Sequence, residues 1–137
     1  MRSALLALPL LAGCAAPAME SARACPAGTT PATIAEAFFG RSAAGREVVS
    51  DTDWTRFLAE VVTPAFPDGL TVLDGTGQWR GSDGEIARER SKILLVALPG
   101  GTAEQALARL APMRAAYRAR FAQESVMVAM RTGCVGF

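Results

Sequence analysis

The sequence predicts a single α+β domain with two amphipathic helices on one face of an antiparallel sheet. Three observations point there. Apolar runs and helical stripes after residue 32 alternate in the order β-α-β-β-α-β. The two central β runs flank a turn cluster, Gly81-Ser82-Asp83-Gly84, that contains an Asp-Gly dipeptide. The chain has 137 residues, half of them hydrophobic, which is enough for one core and too little for two. That element order is the split βαβ, or ferredoxin-like, sandwich.

The segment before the domain reads as targeting rather than fold. Arg2 is followed by a short apolar run from Ala4 to Leu11, too short to cross a bilayer as a permanent helix. Leu11-Ala12-Gly13-Cys14 resembles the lipobox of bacterial lipoproteins, in which the cysteine is lipidated and becomes the first mature residue. The expectation is a signal peptide over 1–13, a lipid on Cys14, a tether over 14–32 rich in Ala, Pro, Thr and Ser, and the domain over 33–137. The chain would then sit on the periplasmic side of the cell envelope. Ala16 is not the aspartate that resembles an inner-membrane retention signal, so the outer membrane is favoured.

Within the domain, Ile34, Phe38 and Phe39 ahead of Gly40 suggest a short strand. Ser50 is an N-cap with Asp53 three residues on, and Trp54, Phe57, Leu58, Val61 and Val62 form one apolar stripe that Pro64 should end. Leu70–Trp79 and Ile86–Leu98 are the arms of a hairpin, closed by Pro99-Gly100-Gly101. Thr102 and Gln105 make a capping box for a second helix, whose buried line is Ala106, Leu110, Met113, Tyr117 and Phe121. Pro112 predicts a kink near Ala108 or a break there. Ser125–Met130 supplies the last strand.

Setting Cys14 aside leaves Cys25 and Cys134, an even pair in an exported chain. In the ferredoxin-like order the last strand runs antiparallel beside the first, so the end of one meets the start of the other. A Cys25–Cys134 disulfide follows from that. Ile93–Leu98 is apolar without alternation, which fits a strand covered on both faces. A homodimer packed sheet to sheet would cover the second face, as would an apolar ligand or the tether itself.

Composition excludes much chemistry. There is no histidine, hence no Ser-His-Asp or Cys-His nucleophile pair and no His-ligated zinc. The net charge of +1 gives no reason to expect nucleic acid, and no cofactor motif is present. Gly75-x-Gly77 has no helix directly after it, so it reads as a bulge or sharp twist rather than a phosphate cradle. The polar residues of the hairpin, Asp74, Gln78, Trp79, Arg80, Glu89, Ser91 and Lys92, are the candidate binding site. By period two, Asp74, Gln78 and Arg80 share one strand face, while Glu89 and Ser91 lie opposite Arg88, Arg90 and Lys92. Adjacent Ser91 and Lys92 are therefore poorly placed as a nucleophile pair. Asp74 and Glu89 could form a carboxylate pair for acid–base chemistry, but the sequence does not fix their separation.

Several stretches, "FFGR", "VSDTDWTRFLAEVVTPAFPDGLTVLDGTGQWRG", "ERSKILLV", "YRARFAQESV" and "CVGF", resemble the bacterial family catalogued as domain of unknown function 3574. The resemblance spans Ile34 to Phe137 and implies a small exported or lipoprotein domain. It implies no activity, substrate or catalytic residue. The expected function is a non-enzymatic ligand- or protein-binding module anchored in the envelope. The alternative is a small histidine-free enzyme of the dimeric α+β-barrel kind, with its pocket on the sheet face.

Overall fold

The computed structural model describes residues 24–137; the expected signal peptide and lipidated Cys14 lie outside them. Strand β1 (Thr30–Gly40) leads into a small hairpin, β2 (Ser42–Ala43) and β3 (Arg46–Glu47). Helix α1 (Asp51–Phe57) continues through a π-helical stretch, Leu58–Val62, into a last turn, α2 (Thr63–Ala65). Strands β4 (Thr71–Arg80) and β5 (Ile86–Pro99) form the long hairpin, followed by α3 (Ala103–Phe121) and β6 (Met127–Val135). The four long strands make one antiparallel sheet in the order β4-β5-β1-β6, and α1 and α3 cover one face. This is the expected ferredoxin-like α+β sandwich, with the β2–β3 hairpin added after the first strand.

Period two sorts the sheet residues. Ala35, Ala37 and Phe39 of β1 and Leu94, Val96 and Leu98 of β5 face the helices and are buried. Their neighbours Ile34, Phe38, Ile93 and Leu95 point to the other face, which no helix covers, and are half-buried. The unbroken apolar run of β5 thus serves the core with one half and an open sheet face with the other. Tyr117 anchors the aromatic centre of the core, with ring centroids 4.8 Å from Phe39 and Phe121 and 5.0 Å from Phe57. Its hydroxyl donates to the Gly40 carbonyl at 2.8 Å, which satisfies the polar tip of a fully buried side chain. Burial pushes its pKa upward.

Both capping boxes form as the sequence predicts, Ser50 with Asp53 and Thr102 with Gln105. The buried line of α3 is the expected one. The structure narrows three local expectations. Helix α3 runs unbroken through Pro112, because its packed stripe outweighs one lost backbone bond. Pro64 does not end the first helix at once: the chain widens into the π stretch, where the Thr63 N–H donates to the Leu58 carbonyl, and takes one more turn. The β4–β5 register is continuous from Thr71↔Leu95 to Arg80↔Ile86, so Gly75 and Gly77 mark no bulge.

Cys25 and Cys134 are disulfide-bonded, with Cα atoms 5.6 Å apart. The bridge ties the entry to β1 to the end of β6, where Pro31 pairs with Cys134. Strand β1 starts at Thr30, within the segment whose composition suggested tether.

Candidate functional site

The end of the sheet away from the disulfide is built differently. Strand β5 pairs with β1 only from Ser91 onward, where it meets Gly40. Before that point the β4–β5 arm overhangs, and the chain leaving β1 turns back as the β2–β3 hairpin beneath it. The two-residue turn of that hairpin, Ala44-Gly45, has φ of 50° and 72°, the left-handed pair that type I′ hairpins need. The arm ends in a turn where the Gly81 N–H donates to the Glu85 carbonyl (2.9 Å) and the Glu85 N–H to Asp83 Oδ1 (2.9 Å). From the other edge the α3–β6 turn approaches, and Ser82 Oγ lies 3.4 Å from Glu124 Oε1.

These three pieces and the open sheet face enclose a recess of about 680 Å³. Its floor holds Phe38, Gly40, Gly77, Ala87, Glu89, Ser91 and Trp79, and its walls come from Ser42–Gly45 and Ala122–Ser125. Both glycines of β4 share the open face with Trp79, Glu89 and Ser91, and Gly77 lines the hollow. A Cβ on Gly77 would touch nothing within 4 Å, so the missing side chain leaves space directly over the strand. A Cβ on Gly75 would meet Ser91 Oγ at 2.9 Å and Ile93 Cδ1 at 3.0 Å.

Glu89 is clamped. Its Oε2 accepts from the Ser42 N–H at 3.0 Å, and Gln123 Nε2 donates to the Ser42 carbonyl at 3.0 Å from the opposite side. The carboxylate lies so close to β1 that a Cβ on Gly40 would stand 2.6 Å from Oε1. Gly40 is the one residue that permits this approach.

The sequence-predicted candidates therefore divide across the sheet. Trp79, Glu89 and Ser91 meet at the recess, and Gln78 reaches its rim. Asp74 and Lys92 belong to the helix side. Lys92 Nζ bonds Asp74 Oδ1 at 2.5 Å and lies 3.5 Å from Asp51 Oδ1 at the start of α1. Asp51 also meets Arg41, which is 1% exposed and bonded in addition to Glu47 (2.9 Å) and the Val49 carbonyl (2.8 Å). The Arg41 guanidinium, more than Lys92, holds the Asp51 carboxyl below its usual value, with desolvation partly opposing. Lys92 is thus a structural pin between β4, β5 and α1. Asp74 and Glu89 stand on opposite faces and form no acid–base pair. Arg80 is spent on the turn, donating to the Gly84 carbonyl at 2.6 Å. Phe38, Gly40, Met127 and the Ser42–Gly45 hairpin were not singled out from the sequence. Only Gly45, followed by charged residues, could have signalled that turn.

A second recess of about 470 Å³ lies at the opposite end, between Phe66–Gly69, Leu98–Gly101 and the first turns of α3. Its lining is mainly turn residues, with Asp68, Gln105 and Arg109 as the polar members and no aromatic side chain but Phe66. Among the described residues, no group of His, Cys, Asp and Glu could hold a metal ion. No helix among them is long and apolar enough to cross a membrane.

A family model matches residues 35–137, from the middle of β1 to the last residue. The chain belongs to the family described as protein of unknown function (DUF3574). The match confirms the resemblance carried by the Thr63–Val72 and Gly77–Arg80 stretches, and the family's matched region contains every residue of the recess. No curated protein matches the sequence. Among solved structures, a phage SAM lyase in complex with S-methyl-5'-thioadenosine is 16% identical, with a TM-score of 0.60 over 85% of this chain and 95% of that one. The apo form of the phage SAM lyase gives the same TM-score and identity over 97% of its chain. CutA from Synechococcus elongatus is 12% identical, with a TM-score of 0.48 over 80% of this chain and 83% of that one. The lyase likeness agrees with the ferredoxin-like fold of this chain; at this identity it shows nothing of activity.

Proposed function

We propose that this protein is a lipid-anchored envelope domain that binds a small molecule, without chemistry, in the recess at the far end of its sheet. The observation that carries the reading is the recess itself. Its volume falls in the range of small-molecule sites, and it combines apolar surface from Phe38, Trp79, Ala87 and Met127 with fixed polar groups. The β2–β3 hairpin that closes it is locked from two sides through Ser42, which is the preorganisation a binding site needs. The proposed anchor agrees with the polarity of the fold. A lipid on Cys14 and the tether would enter at the Cys25–Cys134 end, about 35 Å along β1 from the recess at ~3.3 Å per residue. The recess would then face the periplasm rather than the bilayer.

The test uses the full-length protein purified from the envelope. Native mass spectrometry and calorimetry against a metabolite panel should find a one-to-one complex. S-methyl-5'-thioadenosine, held by the lyase of like fold, belongs in the first panel. A Cβ on Gly77 meets nothing within 4 Å, so Gly77→Leu projects into the recess and should abolish binding without lowering the urea midpoint. A ligand bound equally well by Gly77→Leu would refute the recess as the site.

A second reading, a small histidine-free enzyme, rests on Glu89. It is the carboxylate on the floor of the recess, with Oε1 lacking a protein partner among the described residues. Turnover of a panel member that Glu89→Gln abolishes while binding persists would establish it.

A further inference from the structure

We infer that the recess is selective for an organic cation: an ammonium centre carried on an apolar or planar body. The inference rests on the small-molecule reading above and narrows it. Four carboxylates line the recess, Asp83, Glu85, Glu89 and Glu124, against one guanidinium, Arg88. The formal balance there is −3 (four negative, one positive), in a chain whose net charge is +1. A concave surface lined by one sign of charge focuses its field on the volume it encloses.

Charge alone would suit any cation, and two further features choose an organic one. Trp79, 39% exposed, stands two residues from Gly77 on the same strand face, near the space that Gly77 leaves open. Phe38 supplies a second ring on the neighbouring part of the floor. An indole in a recess that also holds carboxylates suits an alkylated ammonium, which gains from cation–π attraction and from counter-ions in the same cavity. Glu89 is also the fixed member of the acidic set. Its Oε2 is held by the Ser42 amide, and Oε1 has no hydrogen-bond partner among the described residues. A bare metal ion would need several oxygens converging on one point, and no such group exists among the described residues. An anion would meet the same carboxylates at a cost. A neutral apolar guest would strip water from them with nothing in return.

The test compares three probes of one shape on the full-length protein: 2-phenylethylammonium, 2-phenylethanol and phenylacetate. Calorimetry at low salt should show the cation binding at least about tenfold more tightly than the alcohol, and the carboxylate not at all. Glu89→Gln should remove most of that preference, weakening the cation far more than the alcohol. Trp79→Leu should weaken the cation several-fold more than the alcohol. Should Glu89→Gln lower the urea midpoint by loosening the hairpin, Glu85→Gln with Glu124→Gln removes two carboxylates without touching the Ser42 contact. The preference should fall there too. Equal binding of cation and alcohol, or tighter binding of phenylacetate, overturns the inference and leaves the recess a small-molecule site. Absence of cation binding up to millimolar concentration also overturns it. The small-molecule reading is judged separately, by whether Gly77→Leu abolishes retention of the molecule carried from the envelope.

Discussion

Gly40→Ala tests the construction of the site most directly. A Cβ there would stand 2.6 Å from Glu89 Oε1, 2.8 Å from Oε2 and 2.9 Å from Cδ. Those distances are impossible for real atoms, so the carboxylate must move, and it can, being the end of a flexible side chain. Moving it gives up the bond to the Ser42 amide. A hydrogen bond to a charged group contributes about 1.5–3 kcal/mol, and its partly exposed position reduces the expected loss to about 1–2 kcal/mol. Against that, replacing a strand glycine by alanine stabilises by about 0.5–1 kcal/mol, because the unfolded chain has less freedom to lose. The net effect in the wild-type background is a loss of about 0.5–1 kcal/mol. In a Glu89→Ala background the obstruction is gone, and the same change should stabilise by about 0.5–1 kcal/mol. The change of sign is the diagnostic. Urea unfolding of the four proteins of this cycle, with the disulfide intact, measures a coupling of about 1–2 kcal/mol. Equal destabilisation in both backgrounds, with coupling under about 0.3 kcal/mol, would refute the clamp.

Lys92→Met should change stability by less than about 1 kcal/mol, because removing a buried ammonium also removes its desolvation cost. Its partners Asp74 and Asp51 are 73% and 71% exposed and return to water. Lys92→Ala, which loses the packed stem as well, should cost about 2–3 kcal/mol in the same urea assay, and neither change should affect binding at the recess. On acidification, Asp51, Asp53 and Glu104 all have folded-state values below their ordinary ones, held there chiefly by Arg41, by the Ser50 hydroxyl and by the backbone amide of Glu104. Their stabilisation is therefore present above the unfolded values of 3.8 and 4.5 and is lost as pH falls through the folded ones. Tyr117 has the opposite sign: its raised value withdraws stability as pH climbs above 10.0. With no histidine to titrate between them, the urea midpoint should be flat from about pH 6 to 8. Replacing both Cys25 and Cys134 by serine frees a sequence separation of 109 residues and should cost about 4–5 kcal/mol on the chain-entropy account, read as a lower midpoint.

The fold was legible because its signals are redundant. Capping boxes and a stripe at 3.6 agree at Ser50–Val62 and at Thr102–Phe121, the Asp-Gly turn sets the hairpin, and every residue of the α3 stripe is buried as read. Face was legible only within each strand: period two set Glu89 and Ser91 apart from Lys92, but the relation of Asp74 to Glu89 across the hairpin needed the register. The failures are cases where tertiary packing decides. Pro112 is tolerated because Leu110, Met113 and Tyr117 hold the helix on both sides of it. The short β2–β3 hairpin escapes pattern reading because two-residue strands have no period, and an Ala-Gly turn lacks the usual Asn or Asp.

The recess was the least legible part, for a physical reason. Sequence reading looks for side chains that act, and this site is made largely by side chains that are absent. Gly77 leaves the volume, and Gly40 lets a carboxylate lie against backbone. Both glycines sit in regular strand and neither has the left-handed φ by which a sequence glycine usually explains itself. A strand glycine weakens its strand, so two of them at one end of one sheet face need a compensating use. Here they are opposed across β5 to Glu89 and Ser91, the open-face half of the Glu89-Arg90-Ser91-Lys92 stretch, while Arg90 and Lys92 serve the ion pairs behind. One tetrapeptide thus supplies a recess on one face and a structural pin on the other. Substitutions at its odd and even positions should separate accordingly, the first changing binding and the second changing stability.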